Sequence, residues 1–324
     1  MSEMSMDAKF WLYENGEGNT LNVIFSARAI APGRFSMFNS AKKLSGARLY
    51  FNCADNTWYQ NDITGITEII KAHRERRELR IFGISMGGYA ATLWGCIFPF
   101  ARSIAFSPNM ITRVPFTHSW YYNFDSVPAY ANLMTAMKRR KPKDAAIFFG
   151  TRDLIDMYFY GLAVRQGIEG VHALRSSHST AAYLDGVHLL IPYLEGAIGI
   201  PDLEKHIMHP DPDVAIDRFH RFCAAMRSIS ALDRGDARRA GGDLDRKLFD
   251  RTHLNKMIYD MAFCGFIEPA RGLLDHGIDA QIFDAPLAGR LDDALNRSAV
   301  RWAQSGRAPV LPPLADELDA RSRG

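Results

Sequence analysis

Residues 80–95 read "RIFGISMGGYAATLWG": an apolar run enters the tight sequence Gly83-Ile84-Ser85-Met86-Gly87 and leaves it as a helical pattern from Met86 to Cys96. A G-x-S-x-G match has meaning when a strand precedes it and a helix follows, and both neighbours are present here. The glycines flanking Ser85 remove Cβ atoms where the backbone must turn sharply, so the serine can be held in a strained, exposed corner. Its hydroxyl then stands above the C-terminal edge of a sheet. The helix start behind it aims backbone N–H groups at the same point, and the Met86 N–H is expected to serve as one oxyanion donor.

Working outward from this corner, β-branched and aromatic runs alternate with helical patterns up to about residue 200. The expected strands are Leu21 to Ser26, Ala47 to Asn52, Leu79 to Gly83, Ser103 to Ser107, Ala145 to Gly150 and Val171 to Arg175. Helix candidates between them include Ile63 to Arg76, Met86 to Cys96 and Ile155 to Gln166. Near-continuous apolar strands joined by helices indicate a mostly parallel sheet covered on both faces. The expected class is therefore α/β, over a first domain of residues 1–200.

After Pro201 no strand-like run recurs, and the chain reads as helices broken by Gly and Pro. A smaller, all-helical domain over 201–324 is expected, with the boundary near residues 197–212. "LNKMIYDMAFCGFIEPARGLLDHGID" reads as two helices joined at Gly265 to Glu268, and "APLAGRLDDALNRSAVRWAQSG" as a second pair. The Pro-rich, charged end "APVLPPLADELDARSRG" is expected to be a loosely held tail.

With 324 residues, 47% of them apolar, the chain can bury a full core. The balance of 39 basic against 36 acidic side chains, net +3, asks for neither nucleic acid nor an acidic membrane as partner. Cys53, Cys96, Cys223 and Cys264 are far apart and lack the short paired spacings of zinc sites, so no metal and no cofactor are expected. The N-terminal residues lack the pattern of a secretory signal, and no run approaches the length of a membrane span. The expectation is a cytoplasmic protein.

A serine nucleophile needs a base and a residue that orients the base. Asp153 follows the strand "AAIFFG" by three residues and is the preferred acid. Asp156 is the alternative, with a cap at the start of "MYFYGLAVRQG" as its structural explanation. Three histidines compete for the base. His172 lies inside "VHALR" and reads as structural, His178 in "RSSH" comes directly after that strand, and His188 in "DGVHLL" starts a later helix. His178 is preferred, with His188 held open.

With "GISMGG", "GTRD" and "RSSH" in this order, the chain resembles the α/β-hydrolase superfamily over roughly Leu21 to Leu194. A narrower likeness, carried by "FSARAIAPGRFSMF", "DNTWYQNDI", "GISMGGYAA" and "IAFSPN", is to little-characterised bacterial hydrolase-like proteins found with glycan and capsule biosynthesis genes. The resemblance implies a Ser85, Asp153, His178 triad and a second oxyanion donor after "LNVIFS", at the N–H of Ala27 or Arg28. Asp55, Trp58 and Tyr59 follow the strand "ARLYFN" at the edge where open α/β sheets bind ligands and are candidates to contact substrate, with packing under the loop as the alternative for Trp58 and Tyr59. Arg28 and Arg34 are candidates to clamp an anion. The stretch from Arg113 to Asp144 is short for a large lid.

Two function classes follow. One is a serine esterase or deacylase acting on a small-molecule or glycan ester, with acyl transfer to a glycan hydroxyl as a variant of the same first half-reaction. The other is a non-catalytic binding or scaffold protein whose helical C-terminal segment docks on a protein partner.

Overall fold

The computed structural model describes residues 9–55, 57–110, 132–244 and 250–309. Most of the expected lid stretch, the residue Asn56 and the tail from residue 310 lie outside the described residues. The described part divides into two compact units, one running up to Ile216 and one from Asp217 onward.

The first unit is built on eight strands: β1 Lys9–Glu14, β2 Thr20–Phe25, β3 Ala47–Cys53, β4 Glu78–Ile84, β5 Arg102–Phe106, β6 Asp144–Gly150, β7 Val171–Leu174 and β8 Ile207–Met208. They form one sheet in the order β1-β3-β2-β4-β5-β6-β7-β8. The six central strands run parallel, and β1 and β8 close the two edges antiparallel. Its helices are α1 Phe38–Ala41, α2 Ile63–Arg74, α3 Met86–Ile97, α4 Leu133–Arg139, α5 Leu154–Arg165, α6 Thr180–Gly186 and α7 Leu190–Glu195.

The strands are apolar on both sides because both faces are covered. All six residues of β2 are buried. On one face Ile24, Tyr50, Phe82, Phe106, Phe148 and Leu174 form a row with Leu184, Leu190, Tyr193 and Leu194 of α6 and α7. On the other, Phe25 stacks on Phe51 and meets Trp94 of α3. At about 25 cal/mol per Å2 of apolar area, this double burial is what holds the sheet together.

Two edge elements were not among the expected strands. β1, "KFWLYE", pairs residue for residue with β3, Trp11 opposite Phe51 and Tyr13 opposite Leu49. β8 pairs with β7, and Leu203 and Ile207 sit in the same core cluster as the central strands. Residues 201–208 therefore belong to the sheet unit, and a domain limit at residue 200 cuts through its core.

The second unit is helical, as the sequence indicates. Helix α8, Pro212–Ser230, carries the division at Ile216, followed by α9 Arg234–Asp243, α10 Arg251–Phe263, α11 Ile267–Asp279 and α12 Ala285–Ser305. Asp233, Asp250 and Asp284 cap three of these helices by accepting N–H bonds from their first turns. Gly265, at φ 84°, turns the chain between α10 and α11. The expected pair of helices after it is instead the single 21-residue α12. Gly289 lies inside it among good helix formers and does not break the helix.

Candidate active site

The chain reverses direction of growth across the sheet between β2 and β4: β3 lies on the far side of β2, and β4 onward extends the other way. Ligands of open α/β sheets bind at such a switch point, beyond the C-terminal ends of the strands. Ser85 stands there, directly after β4. Its backbone lies at φ 56°, ψ −115°, a region that costs a non-glycine residue on the order of 1–3 kcal/mol. The strain is held in place by the Ser85 N–H donating to Phe106 O at 2.8 Å and by the two flanking glycines. A Cβ on Gly87 would collide with the carbonyl of Phe25, and one on Gly83 with the carbonyl of Gly87. Helix α3 must pass that close to β2 for the corner to form. Met86 opens α3, and the N–H groups of a helix's first turn have no partner within the helix.

His178 lies in the loop after β7, with Nδ1 2.8 Å from Oδ1 of Asp156. Asp156 is 1% exposed, and its other oxygen accepts the Ser107 hydroxyl at 2.6 Å and the Gly150 N–H at 2.8 Å. Ser107 in turn lies 3.1 Å from the Thr180 hydroxyl. The acid is thus fixed from the ends of β5, β6 and β7 together. Because an ionised carboxylate only accepts, the proton of a neutral His178 sits on Nδ1, which leaves Nε2 with its lone pair. Burial raises the Asp156 carboxyl above its ordinary range and the Asp153 charge adds to this, while His178 and Ser107 pull it down.

Asp156, and not the expected Asp153, is the carboxylate that meets His178. Asp153 is the N-cap of α5 and spends Oδ1 on the N–H groups of Ile155 and Asp156, at 3.0 Å each. One turn further on, Asp156 points back under the loop and meets His178. The roles of cap and ring partner are the reverse of those expected. His188 is exposed in the turn before α7 at φ 61°, its N–H donating to Asp185 O. His172 is half-buried beside Phe148, and burial lowers its pKa. Among the described residues no hydrogen bond joins Ser85 Oγ to His178, and such bonds in unliganded sites are often long.

The loop after β2 is the other wall. Ser26 and Ser36 clasp it: Ala27 N–H donates to Ser36 Oγ at 2.9 Å and Ser36 N–H to Ser26 Oγ at 3.0 Å. Asn52 Nδ2 donates to the carbonyls of Ile30, Ala31 and Arg34, each at 3.1 Å. The Ala27 N–H is therefore already committed, and of the two expected donors Arg28 stays as the candidate. Arg34 is exposed.

Trp58 and Tyr59 are not surface contacts for a substrate. They are 2% and 4% exposed, both in the left-handed region at φ 59° and 62°. The Tyr59 hydroxyl donates to Ser26 O at 2.8 Å, and Trp58 packs edge-on against Tyr89 of α3. They brace the wall from behind. Asp55 is exposed but closes a local turn, accepting the N–H and hydroxyl of Thr57. Ser107 is the site residue that the sequence reading passed over. Its signal is a serine at the end of the strand next to the nucleophile strand, in "IAFSPN".

Oxygen or nitrogen atoms of Asp153, Asp156 and His178 lie within 4.8 Å of one another, a spacing a cation could bridge. The carboxylate oxygens in this group already accept backbone, hydroxyl and ring donors, which is the pattern of an orienting network.

Serine after β4, acid after β6 and histidine after β7 on a mostly parallel sheet complete the topology. The fold is of the α/β-hydrolase type. No family model matches the chain, and no curated protein matches it. Solved structures similar to it include Est1E from Butyrivibrio proteoclasticus, 13% identical with a TM-score of 0.45, covering 61% of this chain and 96% of that one. The capsule O-acetyltransferase of Neisseria meningitidis serogroup A is 17% identical with a TM-score of 0.43, covering 58% and 92%. An alpha-beta serine hydrolase homologue from Coxiella burnetii is 13% identical with a TM-score of 0.42, covering 61% and 97%. Among the described residues no helix is long and apolar enough to cross a membrane.

Proposed function

We propose that the protein is a serine hydrolase that cleaves esters through an acyl-enzyme, with Ser85 as nucleophile, His178 as general base and Asp156 as the residue that orients the ring. The observation that carries this reading is the buried Asp156 carboxylate, held by Ser107 and Gly150 and 2.8 Å from His178 Nδ1, on the same sheet edge as the strained Ser85 corner. An incidental serine in a Gly-rich turn needs no histidine and no buried acid.

In the first half-reaction Ser85 Oγ bonds to the ester carbonyl carbon while its proton passes to His178 Nε2. The carbonyl oxygen becomes an oxyanion, for which the Met86 N–H is one donor and the Arg28 N–H the candidate second. Collapse of the intermediate breaks the bond to the alcohol, which leaves with the proton from His178. Water then repeats the sequence on the acyl-enzyme, giving up its proton to His178 and releasing the acid and Ser85. An alcohol of a glycan in place of that water would make the same machinery a transferase.

A fluorophosphonate probe tests the nucleophile. Wild type should label, Ser85→Ala should not, and His178→Ala should label far more slowly. Labelling of Ser85→Ala at the wild-type rate would refute the assignment. Turnover of p-nitrophenyl acetate with and without a sugar acceptor separates hydrolysis from transfer.

A further inference from the structure

Residues that follow β6 and β7 line a cavity of about 470 Å3: Arg152, Arg175, Ser176, Ser177 and Ser179, with Ala182 and Tyr183 of α6. No carboxylate is among its lining residues. Arg152 and Arg175 are both exposed, and among the described residues neither forms an ion pair; the Arg175 guanidinium donates through Nε to the Met208 sulfur at 3.0 Å. Ser176 is 5% exposed, and its buried hydroxyl meets no partner among the described residues. Two unneutralised guanidinium groups, serine hydroxyls and a buried hydroxyl without a partner all lie within a few residues of β6 and β7.

We propose that this cavity binds a phosphate monoester. Two guanidinium charges match the −1.5 to −2 charge that such a group carries at neutral pH, and its three terminal oxygens can take up both arginine forks together with hydroxyl donors. A carboxylate brings one charge, which neutralises only one of the two guanidinium groups. The assignment stands apart from the reading of Ser85. Because Ser177 and Ser179 flank His178 in the chain, a substrate that used both sites would carry its phosphate beside the reacting ester.

The test is calorimetric titration at low ionic strength with inorganic phosphate, phenyl phosphate and acetate. Saturable binding of phenyl phosphate to the wild type is expected, weakened at least tenfold by Arg152→Gln and by Arg175→Gln. Ser177→Asp, which places a like charge in the lining, should abolish it, and Ser85→Ala should leave it unchanged. Melting temperatures equal to wild type show that the variants fold. Absence of saturable phosphate binding overturns the proposal. So does equal affinity for acetate, wild-type affinity in the arginine variants, or loss in Ser85→Ala, which would put the ligand at the serine instead. Binding of inorganic phosphate without phenyl phosphate would overturn the monoester assignment. Failure of fluorophosphonate labelling would refute the esterase reading and leave these titrations untouched.

Discussion

Exchanging the two aspartates of α5 separates scaffolding from chemistry within one helical turn. Asp153→Ala removes a cap that accepts two N–H bonds at 3.0 Å, a loss of about 1 kcal/mol in the usual range for caps. For a unit of this size that lowers the melting temperature by about 2–4 °C, and ester turnover should stay within a few-fold of wild type. Asp156→Asn has the opposite profile. Ser107 and Gly150 both donate to one oxygen, so the amide oxygen must face them and the amide NH2 must turn to His178. Nδ1 then has to accept, the ring proton moves to Nε2, and the nitrogen that should take the Ser85 proton is blocked. A drop in kcat of roughly 1,000- to 10,000-fold is expected, about 4–5 kcal/mol of transition-state stabilisation.

The same variant reports on stability with a definite sign. Burial raises the Asp156 carboxyl, so folding favours its neutral form. For an acid shifted upward, that stabilisation is full below the unfolded pKa and is lost as pH rises through the folded one. Asp156→Asn should therefore gain stability relative to wild type as pH rises through that interval and hold the gain above it. Thermal melts from pH 4 to 8 and p-nitrophenyl acetate hydrolysis measure both effects. If Asp153→Ala lost as much turnover as Asp156→Asn while remaining folded, the assignment of roles would be wrong.

Three further outcomes are expected. Ser107→Ala removes one of the two donors to the inner Asp156 oxygen and should cut turnover about tenfold, with a stability loss of about 1 kcal/mol; wild-type kinetics would show that the 2.6 Å bond does not position the acid. Gly87→Ala drives a Cβ into the Phe25 carbonyl and should cost about 3 kcal/mol or yield insoluble protein; an unchanged melting temperature would contradict the close approach of α3 to β2. Burial lifts the thiols of Cys53 and Cys96 to about 11 and that of Cys223 to about 12, and Cys264 is 2% exposed. Native protein at pH 8 should accordingly resist Ellman's reagent, whereas guanidinium-unfolded protein should release four equivalents; fast reaction of any native thiol would dispute its burial.

The elbow and the six central strands were legible because each depends on local pattern: two glycines around a serine, and apolar runs of strand length. β1 and β8 were not, since an edge strand of six or two residues carries little signal until a partner pairs with it. Asp153 and Asp156 both begin the same helix, and spacing alone cannot say which of two carboxylates one turn apart faces inward. Chain direction at the start of α5 decides it. Trp58 and Tyr59 show the same limit from another side. Two aromatics in a loop can cover a ligand or prop the loop, and only the packing of Tyr59 onto the Ser26 carbonyl distinguishes these. The expected helical pair after residue 284 failed because one glycine does not end a 21-residue helix when its neighbours are good helix formers.

Asp156 is hydrogen-bonded to residues that follow three adjacent strands: Ser107 after β5, Gly150 closing β6 and His178 after β7. The carboxylate therefore acts as a gauge of how those strand ends are aligned. A slip of β5 against β6 by one residue would turn Ser107 to the opposite face of the sheet and withdraw its proton from the acid. The His178 Nδ1–H bond to that acid would lengthen with it, so the NMR signal of a single imidazole proton follows the alignment of the whole upper edge.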